Sequence, residues 1–201
     1  MQWTNGEKCC IIGVQNIFGG TMEAEILLWI QNNLRTAWLD PILKGITYLG
    51  EAGWFWILLS LVLILTKTYR KTGITCGTSL ILHLILVNGV AKNLFRRTRP
   101  YEVIEGLTRI VGKQSDFSFP SGHTAASFAV AVVLLLRAPK EISIPAMILA
   151  VLISLSRLYV GVHYPTDVLG GAVIGTLCAF LAVWIVDAVE KKIGGKKAKQ
   201  K

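Results

Sequence analysis

The sequence predicts an all-α protein of one domain, an integral membrane helical bundle, and three observations carry that expectation. Of 201 residues, 53% are hydrophobic and 16% charged, well to the apolar side of soluble usage. Several windows are nearly free of charge and approach the roughly 20 apolar residues that a helix needs to cross the hydrocarbon core. The charges that do occur, with a formal net value of +9, gather at the ends of those windows.

Taken in order, residues 22–39 alternate apolar clusters with Glu23, Glu25, Gln31, Asn32, Asn33 and Arg35 at roughly helical spacing. That pattern predicts an amphipathic helix on the membrane surface. Asp40-Pro41 is expected to break it, and residues 42–49 to form a short helix leading into the first span. Five spans are predicted: 53–66 extended back through Tyr48 and Leu49, then 74–90, 121–136, 142–155 with its flanks, and 168–186. The start lacks a charged segment followed by a small-residue cleavage site, so no cleaved signal peptide is expected. A single membrane domain is expected over 1–190, with 191–201 as a basic tail.

Lys67, Arg70 and Lys71 share one short loop, Arg137 and Lys140 another, and six lysines follow Glu190. With five spans all three clusters fall on one side. The positive-inside rule makes that side the cytoplasm, with the C-terminus inside and the N-terminus outside a multi-pass protein of the plasma membrane. Attraction to anionic lipid explains the basic tail, and no nucleic-acid partner is expected. Cys9, Cys10, Cys76 and Cys178 form no C-x-x-C pair, so neither a metal framework nor a disulfide scaffold follows.

Orientation alone would leave the opposite face poor in cations, yet "AKNLFRRTRP" sets Lys92, Arg96, Arg97 and Arg99 there and "SRLYVGVHYPTD" adds Arg157, His163 and Asp167. "FPSGH" contributes Ser121, Gly122 and His123 at the start of the third span. Lys92, Arg99 and Arg157 supply donors suited to phosphate oxygens. Backbone N–H groups at Ser121-Gly122 and the positive end of the following helix can meet another oxygen. One histidine can attack phosphorus if a carboxylate fixes its tautomer, which the four-residue spacing of His163 and Asp167 permits. His123 can then protonate the departing oxygen. A metal site is the weaker reading, because two histidines and scattered carboxylates make a poor ligand set.

These residues resemble the type 2 phosphatidic acid phosphatase superfamily, whose motifs K-x6-R-P, P-S-G-H and S-R-x5-H-x3-D read here Lys92 to Pro100, Pro120 to His123, and Ser156 to Asp167. The core of the resemblance spans 88–171. It implies that His163 is the nucleophile, Asp167 orients it and His123 is the acid for the leaving group. Lys92, Arg99, Ser121, Gly122 and Arg157 would bind phosphate, without metal or cofactor. The family's integral members imply six helices, the N-terminal segment supplying the sixth. The implied activity is metal-independent hydrolysis of a lipid phosphomonoester or diphosphate on the outer face. Undecaprenyl diphosphate and phosphatidylglycerol phosphate stand first as substrates, and phosphatidic acid and diacylglycerol pyrophosphate stand as alternatives. A vanadate-dependent haloperoxidase and a non-catalytic lipid-phosphate binder rank below these.

Other features read more simply. Arg96 and Arg97 lie outside the motif positions, and contact with lipid phosphates explains them as well as a substrate role. His83, in the middle of an apolar run, reads as a packed histidine, and Asn88 likewise. Gly171 and Gly175 form a G-x-x-x-G suited to close helix packing, and the tryptophans are interfacial anchors. The loop over 101–118 is long, lies beside all three motifs and is expected to cover the site.

Overall fold

The structure, a computed structural model, describes residues 20–198. Cys9, Cys10 and the last three residues of the basic tail lie outside them. Helix α1 runs Gly20–Leu34 and α2 Leu39–Leu49; a single turn, Glu51–Gly53, leads into α3 at Trp54–Leu65. Helix α4, Arg70–His83, continues without interruption through a π-helical stretch, Leu84–Ala91, into α5 at Lys92–Phe95. The short α6, Pro100–Val103, opens the long loop to α7 at Gly122–Arg137, which is followed by α8 at Lys140–Tyr159 and α9 at Pro165–Ala198. Strands are absent among the described residues.

Among the described residues three stretches, Lys67–Val103, Lys140–Tyr159 and Pro165–Ile193, are long and apolar enough to cross a membrane. Leu39–Leu49 and Glu51–Leu65 qualify together as one span bent by 44°. The remaining predicted span, the third in chain order, is α7. At about 1.5 Å per residue its 16 residues cover about 24 Å, short of a roughly 30 Å hydrocarbon core. Its position explains why it can be short: α4, α8 and α9 surround it, and Ala129, Val130, Val133 and Leu134 on it are sealed from the surface. Large apolar side chains point outward instead, as Leu169, Val173, Leu177 and Trp184 do along α9. A lipid-facing rim around a tight interior is the pattern of a membrane bundle.

Close packing of α7 on α9 depends on the G-x-x-x-G pair. A methyl group on Gly171 would lie 2.6 Å from the Ser121 carbonyl oxygen, and one on Gly175 would press even harder on that of Ala125. Trp56 also faces inward. Its Nε1 donates to Ser127 Oγ at 2.9 Å, so this tryptophan is a core residue and not an interfacial anchor.

Two expectations at the N-terminal side are corrected. The chain breaks at 35–38, before Asp40-Pro41, which sits in the first turn of α2. There proline's missing N–H costs nothing, because the first helical amides lack intrahelical acceptors. The polar residues of α1 also do not all face outward: Glu23 is buried, Gln31 Nε2 donates to the Gly106 carbonyl at 2.9 Å, and Arg35 Nε donates to that of Tyr159 at 2.9 Å. Helix α1 thereby clasps both the long loop and the end of α8. At the other end α9 does not stop at residue 190 but carries helix into the basic segment.

Candidate active site

All three motifs meet at one end of the bundle. The π stretch and α5 bring Lys92, the turn before α6 brings Arg99, the N-terminus of α7 brings Ser121 to His123, and the α8–α9 junction brings Arg157, His163 and Asp167. That junction turns through Gly161 at φ +77°, where a side chain would be strained and a Cβ would also meet the Thr108 carbonyl oxygen at 2.6 Å. The backbone then locks the pieces together: Ser121 N–H donates to the Asp167 carbonyl at 3.0 Å and Ser118 N–H to that of Arg97 at 2.8 Å.

A cavity of about 330 Å³ opens here, with Lys92, Arg99, Gly122, His123 and His163 among its lining residues. The three remaining predicted site residues, Ser121, Arg157 and Asp167, are buried around it. Ser121 acts as the N-cap of α7, its Oγ accepting from Thr124 Oγ1 at 3.1 Å and, at 3.5 Å, from Thr124 N–H. That role satisfies Thr124 N–H and leaves the N–H groups of Gly122 and His123, which line the cavity, without an intrahelical acceptor. Arg157 donates Nη1 to Thr47 Oγ1 at 2.6 Å, while its Nε and Nη2 have no hydrogen-bond partner among the described residues.

His163 is 1% exposed and its two nitrogens face different surroundings. Nδ1 lies 3.4 Å from Asp167 Oδ2 and 3.5 Å from Ser118 Oγ; Nε2 lies 3.3 Å from Arg99 Nη1. A guanidinium only donates. The arrangement therefore favours the tautomer with its proton on Nδ1, toward the carboxylate, and a lone pair on Nε2 beside Arg99. Burial, together with the charges of Arg99, Arg157 and Lys92, pushes the His163 imidazole well below its ordinary pKa, which favours the neutral ring.

Asp167 is held on every side. Its Oδ2 accepts from Ser118 Oγ at 2.5 Å and from Tyr164 N–H at 2.9 Å, and its Oδ1 accepts from Arg97 Nη1 at 2.7 Å. Arg97 in turn donates Nη2 to Glu23 Oε2 at 2.5 Å and stacks its guanidinium 3.8 Å above the Tyr164 ring. Glu23 Oε1 accepts from the N–H and hydroxyl of Thr166, at 2.9 and 2.7 Å. Sequence reasoning did not assign this buried chain of Glu23, Arg97 and Asp167, and it weighed Arg97 equally as a lipid contact and as a substrate ligand.

The long loop does reach the site. Asp116 pairs with both Lys92 and Arg99, and Arg99 Nε donates to the Asp116 carbonyl at 2.9 Å. Burial alone would raise the Asp116 carboxyl, but Lys92 and Arg99 outweigh it and hold its pKa at about 2. A carboxylate thus sits where the two cations would meet a phosphate. Glu51 also lines the cavity, its Oε2 3.6 Å from His123 Nε2. Nothing in the sequence singled out Glu51, which simply heads a predicted span.

An apolar helical bundle with such a cationic, two-histidine cavity can bind a phosphate group at the membrane and present it to a neutral imidazole. Residues 72–191 match the PAP2 superfamily, and the chain belongs to that family. It is 34% identical over 175 residues to an undecaprenyl-diphosphatase of Sulfolobus acidocaldarius, covering 87% of this chain and 82% of that protein. It is 36% identical over 166 residues to phosphatidylglycerophosphatase B of Bacillus subtilis, covering 74% and 75%. Among solved structures, LpxE of Aquifex aeolicus superimposes with a TM-score of 0.70 at 30% identity, over 79% of this chain and 93% of that one. A transmembrane PAP2-type phosphatidylglycerolphosphate phosphatase of Bacillus subtilis gives a TM-score of 0.64 at 27% identity, over 92% and 94%.

Proposed function

We propose that this PAP2-type membrane phosphatase removes a phosphate from a lipid phosphomonoester or diphosphate through a phosphohistidine on His163, without a metal. Undecaprenyl diphosphate and phosphatidylglycerol phosphate are the first candidates. One observation carries the reading: His163 turns Nδ1 to Asp167 and Nε2 to Arg99 at a cavity that Lys92, Gly122 and His123 also line.

In the first step Nε2 forms a bond to phosphorus while the bond to the leaving oxygen breaks, and His123 gives that oxygen a proton. Asp167 stabilises the positive charge left on the His163 ring. Lys92, Arg99, Arg157 and the N–H groups at the start of α7 hold the non-bridging oxygens as their charge redistributes. In the second step His123 takes a proton from water, the resulting oxygen attacks phosphorus, the P–N bond breaks and phosphate leaves. Glu51 Oε2, 3.6 Å from His123 Nε2, is placed to offset the positive charge that His123 carries while it holds the proton in transit.

The same reading puts the site on the extracytoplasmic side. Lys71 and Arg137 pair with Asp187 near the far end of α9, so the loop cations gather at the end of the bundle away from the site, and the positive-inside rule assigns that end to the cytoplasm.

The test is phosphate release by the detergent-purified chain, with EDTA present, from undecaprenyl diphosphate, phosphatidylglycerol phosphate, phosphatidic acid and diacylglycerol pyrophosphate. Release that His163→Ala abolishes supports the reading, and the ranking of lipids supplies the substrate. Folded wild-type protein that releases nothing would refute it in favour of a lipid-phosphate binder.

A further inference from the structure

His83 and Asn88 were read from the sequence as packing residues, and the structure gives them a different setting. In an ordinary helix of about 3.6 residues per turn, a residue nine positions after another points to roughly the opposite side. Lys92 follows His83 by nine, so α-helical winding would turn His83 away from the phosphate cradle. The intervening residues are π-helical over Leu84–Ala91. Its wider i→i+5 turn needs more residues per revolution and brings His83, Asn88 and Lys92 to one wall, where all three line the cavity. Such π segments are rare and concentrate at functional sites.

The chemistry of that wall is incomplete in the protein alone. His83 is 5% exposed, and among the described residues neither ring nitrogen makes a full hydrogen bond; the backbone of Leu80 and Gly122 is the nearest polar surface to the ring. Its own segment is an apolar run, which adds no side-chain partner. Asn88 Oδ1 stands 3.7 Å from the point a Cβ on Gly122 would occupy, and Lys92 Nζ 3.4 Å from it. The carboxamide therefore stands beside the start of α7, next to the cradle. A buried imidazole without partners is unfavourable unless a ligand provides them.

We infer that His83 and Asn88 form a second phosphate subsite, which holds the tail-bearing phosphate of a lipid diphosphate while the terminal phosphate occupies the Lys92–Arg99 cradle. The inference rests on the phosphatase reading above and narrows its substrate class to diphosphates. The two groups suit that task. The tail-bearing phosphate must stay bound during attack on its neighbour and then leave as the monophosphate product. A neutral imidazole N–H and a carboxamide N–H bind its oxygens without the grip of another cation. The subsite also lies on the wall that continues from Lys92 into the apolar helix, toward the lipid tail.

The experiment compares kcat/KM for a prenyl diphosphate with that for phosphatidic acid, a monoester, in wild type, His83→Ala and Asn88→Ala, each as full chain in detergent. Loss of one hydrogen bond to a charged group is expected to lower the diphosphate value about ten- to a hundredfold, with a much smaller change for phosphatidic acid. Both substrates are assayed on the same preparation, so the ratio is unaffected by any fraction that fails to fold. Equal losses on both substrates, no loss, or a greater loss on phosphatidic acid would overturn the subsite and leave the phosphatase reading standing. Wild type inactive on every lipid would instead overturn the phosphatase reading, and the subsite with it.

Discussion

Replacing Glu23 by alanine tests how the first helix supports the site. Glu23 and Arg97 are both buried, and Glu23 faces Arg97 with one oxygen and the first turn of α9 with the other. Removing one member of a buried ion pair costs about 3–5 kcal/mol, because the other charge is stranded. Arg97 keeps Asp167 as a partner, which puts the expected loss toward the lower end. At about 1.4 kcal/mol per tenfold, that loss opens α1 and the first turn of α9 about a hundred- to a thousandfold more often. Amide hydrogen exchange resolved by segment reads it directly: faster exchange is expected over Gly20–Leu34 and the start of α9, with α7 little changed. Glu23→Gln should recover part of the protection, since its carbonyl oxygen still accepts from Thr166. Exchange in α1 within about threefold of wild type in Glu23→Ala would refute the reasoning and reduce the Glu23–Arg97 pair to an incidental contact.

Three further outcomes are expected. Asp116→Asn removes an anion that competes for Lys92 and Arg99, so inhibition by orthovanadate should tighten about three- to tenfold; weaker inhibition would instead mean that Asp116 positions the two cations. Gly175→Val presses a side chain into the Ala125 backbone and should destabilise the bundle by about 1–3 kcal/mol in detergent unfolding, whereas unchanged stability would show that α7 and α9 can separate. His163, with its pKa lowered by burial and neighbouring cations, stays neutral in the fold below pH 6.5 while the unfolded chain takes up a proton. Stability should therefore fall as pH drops below about 6.5, by at most about 1.4 kcal/mol per unit from this residue, and His163→Gln should flatten that slope in unfolding measured between pH 5 and 7.5.

The spans and the motif residues were legible for separate reasons. Hydropathy is a property of consecutive residues, so windows such as 168–186 announce themselves. The motif residues carry chemistry that an apolar chain has little other use for, and fixed spacing within each motif preserves it. What escaped was long-range or geometric. Glu23 and Arg97 are 74 positions apart, and Glu23 looked like one more polar residue on an amphipathic helix. The break before Asp40 was misplaced because proline was read as a stop, although its φ and missing N–H suit a helix start. His83 and Asn88 were judged by their place in an apolar run, and no residue type in LILVNGVA signals the wider turn that sets them on the cavity wall.

Charge explains why the two halves of the site are built differently. Behind His163 the sequence of Glu23, Arg97 and Asp167 alternates in sign, and each charge has an opposite partner within 2.7 Å. That part is complete without substrate and can hold Asp167 against Nδ1 throughout a catalytic cycle. In front, Lys92 and Arg99 share the single carboxylate of Asp116, and Arg157 leaves two donors unpaired. A buried counter-ion would have satisfied these cations and made them useless for phosphate. Asp116 instead comes from a surface loop and its side chain is nearly half exposed, so an incoming phosphate can displace it into water. Burial and the same excess of cations hold the His163 pKa well below its ordinary value, and on the proposed mechanism the anion that relieves the excess is the substrate that brings phosphorus to Nε2.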